Sequence, residues 1–324
     1  MDFLRKTFQK YTGALRGFKA VYVINNLLQI KKLRPNARLY RKFGLRKSVV
    51  SPLGSQDFKT HDSDIPWLDQ PGGREKLVSD PTFKAFDQDT QEAILNFVDN
   101  GFLILKGFYD DTEVTRLNTE VDRLLADGKA DFNYTQKKIM DAYKLSPLID
   151  QSYFRNPELI KLLNFLMGKK VIPFQTIHFL EGSEQKAHSD SIHMTTEPLG
   201  YLIATWTALE PVGENNGPLF YYPGSHRLSY LLCPDYNSGN TTWTIGPNSY
   251  RNYESAIAAL IEREGLKKSY FYAQPGDVLL WHANLLHGGD PIKKPGSTRR
   301  SMVSHYFCEE VLCYHEISQR PAII

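Results

Sequence analysis

The sequence predicts a mainly β protein with flanking helices, its core a double-stranded β-helix of the jelly-roll, cupin-like kind. Three observations predict it. Short apolar runs at 171–180, 202–209, 219–222, 278–281 and 302–307 have strand length and strand composition. Turn signals separate them: Gly213-Glu214-Asn215-Asn216-Gly217-Pro218, Pro223-Gly224-Ser225 and Gln274-Pro275-Gly276-Asp277. Helical periodicity is concentrated ahead of these runs, which argues for helices packed outside one sheet of a double-sheet roll.

Taken in order, residues 1–50 form a basic amphipathic extension with 13 Lys and Arg against a single acid, Asp2. Leu4, Phe8, Tyr11, Leu15, Phe18 and Tyr22 recur at spacings of four and three, a narrow stripe on a helix, and Arg5, Lys6, Lys10, Arg16 and Lys19 flank it. Such a helix either docks on protein, its own domain or another subunit, with solvated basic flanks, or lies in an anionic membrane surface. Its acid-poor, Arg-containing start also has a superficial likeness to an organelle presequence. The most apolar run, residues 20–30, is interrupted by Asn25 and Asn26 and ends at Lys31-Lys32, too short to span a bilayer. Residues 51–86 mix Pro, Gly, Asp and Ser without a period and are expected to be a connecting arm laid over the surface.

Residues 87–324 make the main domain. Ala93, Ile94, Phe97 and Val98 give a helical stripe closed by Asn100-Gly101, and Phe102-Leu103-Ile104-Leu105 a short buried strand. Asp110-Asp111 caps a helix through Val114, Leu117, Val121, Leu124 and Leu125, and a further helix covers 157–167 before Gly168. The long insert at about 227–270, with one helix at 255–263, is either a lid or a plain surface excursion.

The chain has 324 residues, 41% of them hydrophobic and 23% charged, enough for a sizeable core in a water-soluble protein. Cys233, Cys308 and Cys313 lack metal-type spacing and are expected to be ordinary reduced thiols, which fits a reducing, cytoplasmic setting. No motif suggests nucleic-acid binding.

Chemistry concentrates at His188-Ser189-Asp190. On an extended segment these two side chains point the same way, offering an imidazole nitrogen and a carboxylate oxygen to one point. His287, in Leu286-His287-Gly288-Gly289, lies 97 residues beyond Asp190 and can reach the same point from a later strand. Two His and one carboxylate suit Fe(II), leaving adjacent positions open. His282 is the rival for the third position, expected instead as packing beside the site. In Thr298-Arg299-Arg300-Ser301 a strand would put Arg299 and Ser301 on one face, a fork for a carboxylate, with Arg300 solvated. His193 and His305 could face the same cavity without a catalytic role.

Seven landmarks then stand in order: His188-Ser189-Asp190, Trp206-Thr207-Ala208-Leu209, Asn216-Gly217-Pro218-Leu219, Pro223-Gly224-Ser225-His226, Pro275-Gly276-Asp277-Val278, Leu286-His287-Gly288 and Arg299-Arg300-Ser301. With them, residues 88–310 resemble the phytanoyl-CoA dioxygenase family of Fe(II)/2-oxoglutarate-dependent oxygenases, ectoine hydroxylase-like members included. The resemblance implies Fe(II) on His188, Asp190 and His287, with 2-oxoglutarate and O2 as co-substrates. It implies that Arg299 and Ser301 hold the distal carboxylate of 2-oxoglutarate, with Gln175, Trp206 and Lys138 contacting the same molecule. Trp206 also has a plain reading as a core aromatic. Halogenating relatives replace the ligand carboxylate with a small residue, so Asp190 argues for hydroxylation.

The expected activity is hydroxylation of a small or medium-sized organic molecule, with release of succinate and CO2. A desaturase or epimerase on the same iron site is one alternative; a non-enzymatic membrane-surface or scaffold protein on an oxygenase fold is the other. Residues 1–34 are the expected contact with a membrane surface or another subunit.

Overall fold

The structure, a computed structural model, describes residues 16–59, 64–133 and 136–323. Twelve strands are present among them. A six-stranded sheet has the order β1-β8-β5-β10-β3-β2, from Phe102–Leu105 (β1), Val278–His282 (β8), Leu202–Ala208 (β5), Ser301–Cys308 (β10), Val171–Phe179 (β3) and Ile139–Met140 (β2). A smaller sheet, β7-β6-β9, joins Ser269–Phe271, Leu219–Tyr221 and His287–Gly289; a third, β12-β11-β4, joins Arg320–Pro321, Leu312–His315 and Thr195–Glu197. Every strand pair is antiparallel.

Period two divides the large sheet cleanly. Leu279 and Trp281 of β8, Trp206 of β5, Ile177 and Phe179 of β3 and Val303 of β10 face inward and pack on Leu219, Tyr221 and Phe271 of the smaller sheet. Val278, Leu280, Met302 and Tyr306 face outward, against helices α2 (Gln88–Asn100), α3 (Asp111–Ala126) and α4 (Pro157–Met167). Both faces of the strands are therefore buried, and so they read as continuous apolar runs instead of alternating ones. The helices start where the sequence places capping side chains: Asp87 accepts from the Thr90 N–H, Asp110 from Glu113, and Asn156 from Glu158 and Leu159. Gly276, at φ 86°, turns the Pro-Gly-Asp corner into β8, where a Cβ would strike the Tyr109 carbonyl.

Three expectations need correction. Residues 51–86 are no surface strap: Leu68, Leu77 and Phe83 are buried in the main core, and Leu53 packs with Leu312 and Tyr314. These apolar residues come singly between turns, so no period betrayed them. Of the amino-terminal stripe, Leu4 to Leu15 lies outside the described residues. Phe18 is extended and pairs with Thr244, and helix α1 runs Lys19–Leu28, so Phe18 does not continue into it as a helical residue. Lys19, expected as a solvated flank, is buried; its ammonium bonds Gln319 Oε1 at 2.6 Å and the Thr241 carbonyl.

The insert packs instead of projecting. Its helix α5 (Ser249–Arg263) starts six residues before the expected 255 and sets Tyr253 and Ile257 against Phe220 and Tyr222, on the outer face of the smaller sheet.

Candidate metal centre and co-substrate pocket

The site lies between the two sheets. His188 leaves the strand-like segment after β3 and pairs with His287 in an isolated antiparallel bridge, each backbone N–H donating to the other's carbonyl at 2.9 Å. That bridge seats two imidazoles side by side, ring centroids 4.5 Å apart. Gly288 permits the approach: a Cβ there would lie 2.6 Å from the Gln185 carbonyl and 2.5 Å from the Phe220 ring. Asp190 opens a short helical turn and enters from the same segment.

One ligand atom from each of His188, Asp190 and His287 lies within 4.8 Å of the others, and all three residues are buried. No other group of three or more His, Cys, Asp or Glu among the described residues meets this condition. The tautomers follow from the hydrogen bonds. His188 Nδ1 is 2.9 Å from the Lys186 carbonyl, and His287 Nδ1 is 2.9 Å from the Leu285 carbonyl. A carbonyl only accepts, so each Nδ1 carries the proton and each Nε2 keeps its lone pair. The Gln185 amide lies 3.1 Å from His188 Nε2, as a donor to that lone pair.

Asp190 Oδ1 is 4.0 Å from His188 Nε2 and 3.7 Å from His287 Nε2. Its second oxygen accepts from the Trp281 indole N–H at 2.7 Å, and His305 Nε2 stands 3.6 Å away. Burial opposes the carboxylate charge, but His287 and then His305 outweigh it and hold the pKa below the usual carboxylate range. Burial, reinforced by His287, drives His188 well below an ordinary imidazole, toward the neutral form a ligand needs. The donor set thus offers two imidazoles whose Nδ1 atoms are held by carbonyls and one carboxylate whose second oxygen is held by Trp281. It fits a divalent iron.

A cavity of about 410 Å³ adjoins these atoms. Arg299 lines it at 2% exposure. Its Nη1 donates to the Gly217 carbonyl at 2.8 Å, while Nε has no partner among the described residues. Ser301, fully buried, likewise has an unpartnered Oγ. In strand register the two side chains share the inward face with Val303, as alternation predicts. Burial pushes the Arg299 pKa down to about 10, partly offset by Glu210, and no carboxylate among the described residues pairs with it. A buried guanidinium without a salt-bridge partner, beside an unpaired hydroxyl, fits a carboxylate arriving from outside the chain.

Trp206 is both core and wall: it packs on Phe271, lies 5.4 Å under the Arg299 guanidinium and lines the cavity. Gln175 and Lys138 also line the cavity, Lys138 with its ammonium 5.6 Å from the Phe179 ring. Burial lowers the Lys138 pKa, and Asp190 partly restores it. His282 points elsewhere, its Nε2 3.0 Å from Asp69 in the arm. Arg300 is not simply solvated; it bonds Asp122 and Asn118 on α3. His193 and His305 do line the cavity.

Sequence reasoning missed Trp281, His315 and Arg320. The Trp281 signal was present, since it sits one residue before His282 on a strand and alternation turns the two to opposite faces. His315 and Arg320 come from the short β11 and β12, too brief for any periodicity.

The Phytanoyl-CoA dioxygenase (PhyH) family matches residues 97–301 of the chain. The chain belongs to that family. Bovine peroxisomal phytanoyl-CoA dioxygenase is 22% identical over 246 residues, covering 68% of this chain and 69% of that protein. The ectoine dioxygenase of Sphingopyxis alaskensis is 28% identical over 228 residues, covering 64% and 68%. Among solved structures, S. alaskensis EctD with bound Fe superposes with a TM-score of 0.53 at 23% identity, covering 67% of this chain and 76% of that one. The carbocyclase SnoK from nogalamycin biosynthesis gives 0.56 at 15%, covering 71% and 87%. The jelly-roll core is thus shared, and this family member is a 2-oxoglutarate-dependent non-haem iron dioxygenase. The non-enzymatic alternative falls. No described helix is long and apolar enough to cross a membrane.

Proposed function

We propose that this enzyme hydroxylates an unactivated carbon of a small or medium-sized organic substrate that carries an anionic group. The observation that carries the reading is the convergence of His188 Nε2, Asp190 Oδ1 and His287 Nε2 beside a buried guanidinium that no carboxylate among the described residues pairs. In this reading those three atoms hold iron. Arg299 and Ser301 receive the distal carboxylate of 2-oxoglutarate, and Trp206, Gln175 and Lys138 complete its pocket. Bound iron supplies oxidative decarboxylation of 2-oxoglutarate to succinate and CO2, and transfer of one oxygen atom of O2 to substrate.

The chain's own residues position and protect. The Lys186 and Leu285 carbonyls and the Trp281 indole fix the ligand orientations. Phe179, Trp206 and Leu219 make one wall apolar and keep water from the reacting carbon. The anionic preference rests on Arg320, which lines the remaining space beside His193 and His315; burial lowers the pKa of these two to about 3 and 4, so they serve as neutral hydrogen-bond donors, and Asp190 is the only carboxylate among the lining residues.

The test is O2-dependent succinate release across a panel of carboxylates, phosphate esters and their neutral analogues, with product masses. Hydroxylation yields product one oxygen heavier; desaturation removes two hydrogens, and epimerisation leaves the mass unchanged. A preference for neutral or cationic molecules would overturn the substrate class, and an unchanged or lighter product would overturn the reaction.

A further inference from the structure

Helix α1 is built inside out. Its buried side carries Lys19 at 3% exposure and Asn26 at 1%, the latter donating to the Val50 carbonyl at 3.0 Å. Its outward side carries Ile24, Leu27 and Leu28 at 59%, 51% and 81%. Leu27 and Leu28 stand three and four positions beyond Ile24, on one face with Ala20. A helix on a water-facing surface has the opposite polarity. One exposed leucine is ordinary; a contiguous apolar row marks an interaction surface.

The insert adds to the same place. The Lys19 N–H donates to the Trp243 carbonyl at 2.9 Å, and Phe18 pairs with Thr244. Trp243 is 73% exposed and Phe18 51%, so two segments far apart in sequence expose aromatic rings at one end of one helix. Indole rings of this kind favour the membrane–water boundary.

Charge decides the occupant. Lys31, Lys32 and Arg34 follow the apolar row and are exposed, and residues 1–50 hold 13 basic residues against Asp2 alone. A second copy of the chain would bring two such arms together against their mutual repulsion. An anionic surface would not.

We propose that this face docks on anionic phospholipid bilayers, with Ile24, Leu27, Leu28, Phe18 and Trp243 at the headgroup–acyl boundary and Lys31 and Lys32 on lipid phosphates. Docking there has a consequence for the active site. Asn25, Gln29 and Lys32 line a groove of about 470 Å³ that shares Gln175 and Arg320 with the catalytic cavity. The Arg320 guanidinium also stands 5.8 Å from the Tyr22 ring of α1. A docked protein holds that groove beside the bilayer.

The experiment is flotation of the full chain with vesicles of phosphatidylcholine alone, or of phosphatidylcholine and phosphatidylserine in equal parts. Binding is expected only to the mixed vesicles, weakening with salt. Lys31→Ala with Lys32→Ala lowers the partition about thirty-fold. Ile24→Ser with Leu28→Ser abolishes it while leaving turnover of a soluble substrate unchanged. Trp243 emission shifts to the blue on docking, and Trp243→Phe removes that shift. The proposal falls if the wild type stays at the bottom of the gradient, or if Ile24→Ser with Leu28→Ser still floats. It falls if that variant turns a dimer into a monomer by light scattering, which would make a second copy the occupant. It falls if iodide fails to quench Trp243 without lipid, which would make the chain itself the cover.

Discussion

The inner face of the six-stranded sheet and helix α1 treat polar groups in opposite ways. At the sheet, Arg299 and Ser301 are buried with polar atoms unpaired, and Arg299 lines a cavity. At α1, Lys19 is buried and bonds Gln319 and Thr241, only Asn26 Oδ1 is a buried polar atom without a partner among the described residues, and most of what lacks a partner is apolar. A buried polar orphan costs about 1–3 kcal/mol, and one that lines a cavity can recover that cost from an ionic ligand. An exposed apolar row costs less and persists where an apolar surface will cover it. The kind of group left over indicates the kind of partner missing.

The sheet side breaks most completely at its carboxylate. Asp190→Ala should reduce 2-oxoglutarate-coupled turnover to background in a protein whose circular dichroism is unchanged. Next, Arg299→Ala removes a charge-assisted contact of about 1.5–3 kcal/mol, so the KM for 2-oxoglutarate should rise about ten- to a hundred-fold. Succinate assays at saturating iron measure it, and an unchanged KM would place the distal carboxylate elsewhere. Trp281→Phe keeps the ring but deletes the donor to Asp190; iron affinity should fall about ten- to a hundred-fold while the KM for 2-oxoglutarate holds.

A smaller effect separates fold from site. His178 faces away from the cavity, fully buried, and both ring nitrogens lack partners among the described residues. Burial pushes its pKa down to about 4 from 6.5. The unfolded chain therefore takes up the proton first as pH falls. Stability is complete above about pH 6.5 and is lost progressively between there and pH 4. The loss is about 2 kcal/mol at pH 5. His178→Leu should flatten the dependence of Tm on pH across that window, and an unaltered slope would assign the acid sensitivity to other groups.

Much of this is legible in the amino-acid sequence alone. Asp87, Asp110 and Asn156 announce their helices through local capping chemistry, and β3, β5, β8 and β10 are long enough for composition to speak. His188 and Asp190 share a strand-like face, and Arg299 and Ser301 another, so period two carried both pairs. What stayed hidden depends on pairing between distant segments. The His188–His287 bridge shows only once β9 lies beside the earlier segment, and β9 is three residues long. Leu68, Leu77 and Phe83 are core residues by tertiary packing alone. The reversed polarity of α1 could not be read from its sequence, because Lys19 and Asn26 are inside only through what they bond.

The most direct test of the central claim is an anaerobic titration of the apo-protein with Fe(II) and then 2-oxoglutarate, following the visible charge-transfer absorbance of the chelated co-substrate. The wild type should develop the band at one iron per chain, Asp190→Ala should not, and Arg299→Ala should need far more 2-oxoglutarate to reach it. A folded wild type that gives no band, or a band that survives Asp190→Ala, would contradict the assignment of His188, Asp190 and His287 as the metal centre.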